Sequence, residues 1–245
     1  MIPCIWFENR KVLAMCSRFS LTSPLEALRK LFDFAGSPNF APRYNIPPTT
    51  KILAVRLSAK DKAKREAFMP QWGLIPPFAK DTSVAVRMIN ARSESVSEKP
   101  SFRSPFRKRR CLIPADGFYE WQKQPDGKKQ PFYFTSKDNH PLAFAGLWEQ
   151  WDGGEQGMVE SCTILTTKAP SYMENIHHRA PVIIRSEDFE TWLTGNDAAS
   201  LPPSDQDPNL KFHSVDRKVG NVKEEGADLI RPAPIPIRPI QGDLF

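Results

Sequence analysis

The sequence predicts an α+β fold in which a mainly antiparallel, barrel-like β-sheet domain carries peripheral helices. The 24 prolines against 12 glycines favour many short elements joined by rigid turns. Apolar runs of strand length, separated by turn signals, fill the second half of the chain and indicate hairpins. A hydrophobic share of 40%, with 16 Phe, is sufficient for a folded core.

The first predicted element is a helix near residues 24–35. Ser23 is placed to cap it, Pro24 suits the first helical position, and Glu26 completes a capping box. Apolar residues recur within it at helical spacing, and Gly36 is expected to end it.

Strands are predicted wherever a short apolar run is bounded by Gly, Pro or Asp. The turn signals at 124–127 and 152–154 indicate antiparallel hairpins between their neighbours. A second helix is predicted at 186–193, closed by Gly195. The predicted strands are 51–57, 69–75, 111–115, 118–123, 131–135, 142–151, 158–167 and 211–215.

Three segments are expected along the chain. Residues 15–230 form the catalytic domain, and residues 1–14 are an extension that is non-native or cleaved. Residues 231–245 are a tail whose run RPAPIPIRPI favours an extended polyproline conformation.

Positive charge is concentrated in one segment. The formal net charge is +6, and residues 87–110 hold eight basic and two acidic side chains, which accounts for the whole excess. Such a segment is either a solvated loop or a phosphate-binding strip.

Cysteine, histidine and hydropathy patterns exclude several classes of protein. The cysteines and histidines lack metal-ligand spacing, so neither a metal site nor a cofactor is predicted. Cys111 and Cys162 lie in apolar runs and are expected to be buried strand residues. No run approaches the roughly 20 apolar residues of a membrane helix, and the N-terminus lacks a signal peptide pattern. A cytoplasmic monomer without membrane contact is expected.

Met15-Cys16 is the first candidate for chemistry. If translation begins at Met15 and that methionine is removed, Cys16 carries a primary amine and a thiol on adjacent carbons. An α-amine has a pKa of about 7.7–8.0, so it can condense with an aldehyde near neutral pH. The thiol can then close a thiazolidine ring. Inside a chain the same nitrogen is a non-nucleophilic amide, and a cysteine beside Phe is more often a core residue.

Three polar residues stand in surroundings that favour burial. Asn45 precedes Ile46 and a proline pair, Glu120 lies between two aromatic residues, and His177 precedes an apolar run. A desolvated carboxyl group has a raised pKa and suits proton transfer, and histidine titrates near neutral pH. The residues alone leave the structural alternative open: Glu120 as an outward-facing strand residue and His177 as a satisfied structural one.

The polar clusters belong to a longer series of motifs. In order, the chain contains CSRF, RYNIPP, WGLIPPFAKD, INARSES, RRCLIPADGFYEW, QPF, AGLW, IHHRAPVII and VGNVKEEGADLI. Together they resemble the SOS-response-associated peptidase family, whose members shield abasic sites in single-stranded DNA. The resemblance covers about residues 15–230 and implies an antiparallel, barrel-like α+β domain.

The resemblance implies a role for each matching residue. Cys16 would form the crosslink, Asn45 would help to position it, Glu120 would move protons, and His177 would act on the opened deoxyribose. The DNA contacts it implies are phosphate binding by Arg18, Arg92 and Arg179 and base stacking by Pro48 and Trp72.

Two departures from the family pattern affect this interpretation. Fourteen residues precede Met15, so the start codon is misassigned, the leader is cleaved, or the protein cannot crosslink. We favour misassignment. The second departure is His178, where many relatives have an acidic or amide residue.

Two rival functions and one partner follow from the same residues. The chain could be a thiol peptidase with Cys16 as nucleophile and His177 as base, or a non-catalytic module that binds single-stranded DNA. The last five residues, QGDLF, resemble the peptide with which bacterial repair factors dock on the replicative sliding clamp. Gln241, Leu244 and Phe245 would make that contact, and the alternative is a frayed terminus.

Overall fold

The structure is a computed structural model that describes residues 17–202 and 208–235. These residues form two large β-sheets and three short α-helices, which confirms the α+β class. The helices are α1 (Leu25–Phe32), α2 (Pro100–Lys108) and α3 (Phe189–Thr194). The strands are β1 (Phe19–Leu21), β2 (Phe34–Ala35), β3 (Arg43–Ile46), β4 (Ala54–Leu57), β5 (Arg65–Phe68), β6 (Gln71–Trp72), β7 (Asn90–Arg92), β8 (Arg110–Ala115), β9 (Gly117–Lys123), β10 (Lys129–Ser136), β11 (Leu142–Asp152), β12 (Met158–Lys168), β13 (Arg179–Pro181) and β14 (Leu210–Ser214).

The first sheet has five antiparallel strands in the order β14-β10-β9-β1-β3. The hairpin predicted at residues 124–127 joins β9 to β10, and Gly127 adopts a positive φ of 77° in that turn. The short strand β1 lies between the central strand β9 and the edge strand β3.

The second sheet has the order β13-β12-β11-β8-β4-β5-β2. Its longest pair, β11 and β12, is the second predicted hairpin. β6 and β7 pair with β12 in parallel, opposite Ser161–Cys162 and Ile164–Thr166 respectively. The chain between β6 and β7 therefore forms an excursion from one edge of β12.

The barrel-like closure predicted from the sequence is not confirmed. Both sheets are open in the described ranges, and they pack face to face through aromatic rings instead. Phe144 of the second sheet meets Phe19 and Phe118 of the first sheet, with ring centroids 5.9 Å apart in both pairs. Burial of one apolar face of each sheet against the other produces a common core without joining their edges.

The predicted capping of α1 is wrong in detail. Pro24 occupies the N-cap position without a side-chain cap, because the Ser23 hydroxyl donates to the Asp116 carboxylate instead (2.6 Å). The helix ends at Phe32, before Gly36, since Asp33 adopts the left-handed conformation with φ 49°. The second predicted helix is confirmed as a 3-10 turn followed by α3, with Gly195 at its C-cap.

Asp116 fastens β1 to the corner between β8 and β9. Its carboxylate accepts hydrogen bonds from the backbone and hydroxyl groups of both Thr22 and Ser23, at 2.5–2.9 Å. Hydrogen bonds to a charged group are about twice as strong as neutral ones. This contact fixes the register of β1 on β9 and so positions the residues that immediately precede β1.

The buried cysteines are structural. Cys111 and Cys162 lie in β8 and β12 as free thiols with no exposed surface, as predicted. Burial raises the pKa of both thiols, so neither is a reactive thiolate near neutral pH. Among the described residues no helix could span a membrane, and no group of three or more metal-ligating side chains comes together.

Candidate functional site

Glu120 and His177 come together at the end of the first sheet. Glu120 lies in β9 and is 2% exposed, although two aromatic residues flank it in sequence. Nδ1 of His177 lies 3.9 Å from Oε1 of Glu120. This distance is too long for a hydrogen bond. The structure brings these two predicted site residues next to each other.

The segment that carries His177 is held against β9 from two sides. The backbone N–H of His177 donates to Met173 (3.0 Å), which closes a tight turn after the 3-10 helix Ser171–Met173. The Gln122 side chain, two residues beyond Glu120, donates to the Asn175 carbonyl at 2.9 Å. The imidazole also stacks on His178, with ring centroids 4.6 Å apart. The ring position is therefore set before any substrate binds.

The surroundings of His177 favour its neutral form. Burial lowers the pKa of His177, and the charges of His178, Lys129 and Arg179 act in the same direction. A hydrogen bond to the Arg179 backbone acts in the opposite direction and is outweighed. A neutral imidazole at neutral pH can accept a proton from a substrate hydroxyl group.

This lowered pKa predicts a loss of stability in mild acid. Below the ordinary histidine pKa of about 6.5, the unfolded chain binds a proton that folded His177 resists. The free energy of unfolding should therefore fall as the pH drops from 7 to 5. In the His177→Gln variant this free energy should fall less steeply over the same range. Urea denaturation at both pH values measures this difference. His140→Gln is the matched control, because His140 is exposed, and a wild-type pH dependence in His177→Gln would contradict the prediction.

A second cluster forms around Arg18 and Asn45. Nη1 of Arg18 donates to Asn45 Oδ1 (2.6 Å) and to the Val219 carbonyl (2.9 Å). Asn45 is fully buried, and its amide nitrogen faces the carbonyl oxygens of Val219, Asn221 and Glu224 at 2.9–3.3 Å. Asn45 thus ties Arg18 to the loop 219–224, which explains why the motifs RYNIPP and VGNVKEEGADLI belong together.

The two clusters lie on opposite faces of the first sheet. Side chains alternate along a strand, so Glu120 faces the same side as Phe118, in the core between the sheets. Tyr119 and Trp121 face the other side, where the Arg18 guanidinium lies 5.9 Å from the Trp121 ring. Any substrate that contacts both clusters must therefore pass around the end of β9.

Trp72 belongs to the core, which corrects its predicted role in base stacking. It has no exposed surface, its ring packs edge-to-face on Phe19 at 5.3 Å, and its indole N–H donates to Ile89 (2.8 Å). Pro48 lies half-buried in the turn that pairs with β6. A base has no access to the Trp72 ring.

Arg179 also has a different role from the predicted phosphate contact. Its guanidinium forms a two-pronged ion pair with Glu94 (2.5 and 2.9 Å) and donates to the Thr166 carbonyl at 2.6 Å. The Arg179 hydrogen bond is the main cause of the lowered pKa of Glu94. Arg179 is 9% exposed, so it fastens the start of β13 to β12 and to the turn after β7 rather than presenting a free charge.

Phe78 is a candidate that the sequence interpretation missed. It is 67% exposed and lies in the excursion between β6 and β7. With Lys80 and Arg87 it lines a cavity of about 220 Å³. The motif WGLIPPFAKD contains a signal for this exposure. Its proline pair, Pro76-Pro77, favours a loop, and Phe78 is the next residue. Arg92, at the end of β7, is exposed as predicted.

Four candidate residues lie outside the described residues. These are Cys16 and the clamp-binding residues Gln241, Leu244 and Phe245. Cys16 is covalently bonded to Ser17, and the next residue, Arg18, accepts a hydrogen bond at its carbonyl from the Tyr119 backbone (3.0 Å). The first described residues therefore run directly beside the strand that carries Glu120.

Comparison with known proteins identifies the family. The model of the SOS response associated peptidase (SRAP) family matches residues 15–222, which is most of the chain. The chain belongs to the SRAP family. Its resemblance to that family, inferred from the motifs, is thus confirmed.

SRAP relatives match over most of their length. The abasic site processing protein YoqW of Bacillus subtilis is 38% identical over 225 residues, covering 88% of this chain and 99% of YoqW. The abasic site processing protein YedK of Escherichia coli is 31% identical, and the match covers 89% of this chain and 100% of YedK. HMCES of Rattus norvegicus, also an abasic site processing protein, is 27% identical, and the match covers 91% of this chain and 78% of HMCES.

Solved structures share the same fold. A crystal structure of a Bacteroides thetaiotaomicron protein superposes with a TM-score of 0.79 at 23% identity, covering 89% of this chain and all of that chain. A crystal structure of a Bordetella bronchiseptica protein gives a TM-score of 0.70 at 28% identity, covering 82% of this chain and all of that chain. The open two-sheet arrangement of the SRAP chain therefore has experimentally solved counterparts.

Proposed function

We propose that this SRAP protein processes abasic sites in single-stranded DNA by capturing them covalently on Cys16. The observation that carries the proposal is the buried Glu120 carboxyl group, 3.9 Å from His177 and beside the first residues of the chain that follows Cys16. The names of the relatives support an abasic site as substrate. The start of the family match at Met15 supports Cys16 as the first residue of the mature protein.

The proposed reaction is a condensation. The Cys16 amine adds to the aldehyde of the ring-opened deoxyribose, and loss of water produces a Schiff base. The thiol sulfur then attacks the imine carbon, its proton passes to nitrogen, and a thiazolidine ring forms. The net reaction joins protein and sugar and releases one water molecule, so no oxidant or reductant is needed.

Glu120 and His177 would move the protons of this reaction. A buried carboxyl group can donate a proton to the departing hydroxyl group and take one back from the nitrogen, which leaves the neutral Schiff base. Neutral His177 can take a proton from the sugar hydroxyl group as deoxyribose opens to its aldehyde. Asn45 would act indirectly, because its contacts hold Arg18 and the loop 219–224 in place.

The DNA strand would contact exposed cations and one aromatic ring. Arg92, exposed at the end of β7, would bind a phosphate. Arg18 is 8% exposed and its Nη1 is bonded to Asn45 and Val219, which corrects its predicted phosphate contact to a positioning role. Phe78 takes over the stacking role first predicted for Trp72, since its ring is exposed and stands beside Lys80 and Arg87. Pro48 remains a proposed contact beside the lesion.

One experiment separates this function from its two rivals. A labelled oligonucleotide with a single abasic site is incubated with the protein and run on a denaturing gel. A covalent band supports capture, whereas salt-sensitive binding without a band supports a non-catalytic module. Cleavage of a peptide in trans, without a covalent DNA band, supports the thiol peptidase alternative.

Arg92→Ala tests the proposed phosphate contact. The variant should bind intact single-stranded DNA more weakly, and the slope of log K against log salt should become shallower by about 0.7, because one phosphate contact is lost. Lys62→Ala is the matched control, since it removes an equally exposed charge from the β4–β5 turn. An unchanged slope in Arg92→Ala would show that Arg92 is structural.

Docking of the tail on a sliding clamp stays a prediction. Leu244 and Phe245 would fill an apolar pocket and Gln241 would supply a directional hydrogen bond. Gly242 stands where the family of clamp-binding peptides commonly has Leu, so modest affinity is expected.

A further inference from the structure

The basic segment 87–110 divides into two parts in the structure. Arg109 and Arg110 are internal: Arg109 pairs with Glu149 at 2.5 Å, and Arg110 donates to Phe106, Trp192 and Asp197 carbonyl oxygens. Burial lowers the pKa of Arg110 to about 10. The remaining basic residues are on the surface; four of them lie on α2 or at its N-cap, and three of these four align.

Those three form a stripe along α2. Lys99, at the N-cap, and Arg103 and Arg107, within the helix, recur every fourth residue and are all exposed. We call Lys99, Arg103 and Arg107 the α2 stripe. Residues four apart lie above one another on a helix, so the stripe is a line of charge about 12 Å long. In the described part of the chain, none of the three takes part in an ion pair.

The stripe is unfavourable for an isolated helix. Like charges at i and i+4 repel each other and destabilise a helix. Lys99 also stands at the positive end of the helix dipole, and the first turn contains no acidic residue to offset it. Only Arg107, in the last turn, is favoured by the dipole. A bound anion would therefore offset this positive charge and stabilise α2.

Packing prevents the stripe from turning inward. The buried residues of α2 are Pro105 and Phe106; the Phe106 ring packs against Trp192, and Arg110 donates to the Phe106 carbonyl. The turn before α2 is fixed to β12, because the Ser93 backbone N–H donates to the Thr166 carbonyl, and it is closed by a bond from the Lys99 backbone N–H to the Ser95 carbonyl. The stripe is thus held at a constant position relative to Arg92, which ends β7.

We propose that the α2 stripe binds the phosphates of DNA that extends beyond the abasic-site pocket. The proposal rests on the proposed function for its ligand, since DNA is the polyanion that would already be bound at Arg92. The three charges lie about 6 Å apart along the helix, so one nucleic-acid strand can meet them in succession. The stripe lengthens the DNA footprint without contributing to the chemistry.

The test compares long and short DNA. In the variant Lys99→Gln, Arg103→Gln, Arg107→Gln, the salt slope for an oligonucleotide of about 20 nucleotides should fall by about 2, at about 0.7 per contact. The slope for an oligonucleotide of about six nucleotides, centred on the lesion, should not change. A larger loss on an oligonucleotide that is part duplex identifies duplex as the ligand, and an equal loss identifies the continuing single strand.

Two matched variants complete the test. Lys60→Gln, Lys62→Gln, Lys64→Gln removes three exposed charges from the β4–β5 turn and should leave both slopes unchanged. Lys99→Arg, Arg103→Lys, Arg107→Lys keeps the charge of the stripe and should bind like wild type. A wild-type slope on long DNA in the Gln variant of the stripe, or equal losses in both Gln variants, would overturn the proposal. Covalent capture is measured separately on the short abasic oligonucleotide, where the stripe variant should match wild type. If wild type itself forms no covalent band there, the proposed chemistry fails, and this result is distinct from a failure of the stripe proposal.

Discussion

Cys16→Ser is expected to abolish the heat-stable crosslink to abasic DNA completely. Serine keeps the N-terminal amine, so the Schiff base can still form, but the hydroxyl group does not close the sulfur-containing ring that makes the product stable. Binding to intact single-stranded DNA should be retained with its normal salt dependence, because phosphate contacts do not involve the thiol. A denaturing gel after heating measures the crosslink, and a salt titration measures binding.

Two controls sharpen the Cys16 result. Cys111→Ala removes a buried thiol with no exposure and should leave the crosslink intact provided that the variant folds. Intact mass of the native protein determines whether Cys16 is the first residue, which the reaction requires because an internal amide nitrogen is not nucleophilic. A heat-stable crosslink of wild-type yield in Cys16→Ser would eliminate Cys16 as the capturing residue.

Glu120→Gln should slow crosslink formation about 10²- to 10⁴-fold, the usual contribution of general acid–base catalysis. The amide has the shape of the carboxyl group but cannot pass a proton to the leaving hydroxyl group. Affinity for intact DNA should change little, since Glu120 is 2% exposed and has no positive charge with which to bind phosphate. Single-turnover rates of band formation, measured from pH 5 to 8, are the appropriate readout.

Glu149→Gln is the matched control for Glu120→Gln. Glu149 is also a buried strand glutamate, 3% exposed, but it lies in β11 and pairs with Arg109. Loss of its charge tests whether removal of any buried carboxylate disturbs the fold enough to slow the reaction. An equal slowing in both variants, or a wild-type rate in Glu120→Gln, would mean that Glu120 is a structural residue.

Much of the fold could be read from the sequence because it depends on local signals. The β9–β10 and β11–β12 hairpins follow from alternating apolar runs around Gly-containing turns, and burial of Cys111 follows from its apolar neighbours. Two-residue strands such as β2 and β6 carry too little periodicity to be detected. The pairing of Glu120 with His177 was anticipated only through the family resemblance, since 57 positions separate them.

Tertiary structure decided which polar and aromatic residues face a ligand. Composition and motif spacing determined the α+β class, the family and the list of candidates, because these depend on residue identity and local order alone. They could not show that Trp72 is buried while Phe78 is exposed, or that Arg179 is neutralised by Glu94. Nor could they show that Ser23 bonds to Asp116 instead of capping α1. Burial and pairing depend on contacts between residues distant in sequence, and a local pattern contains no information about those partners.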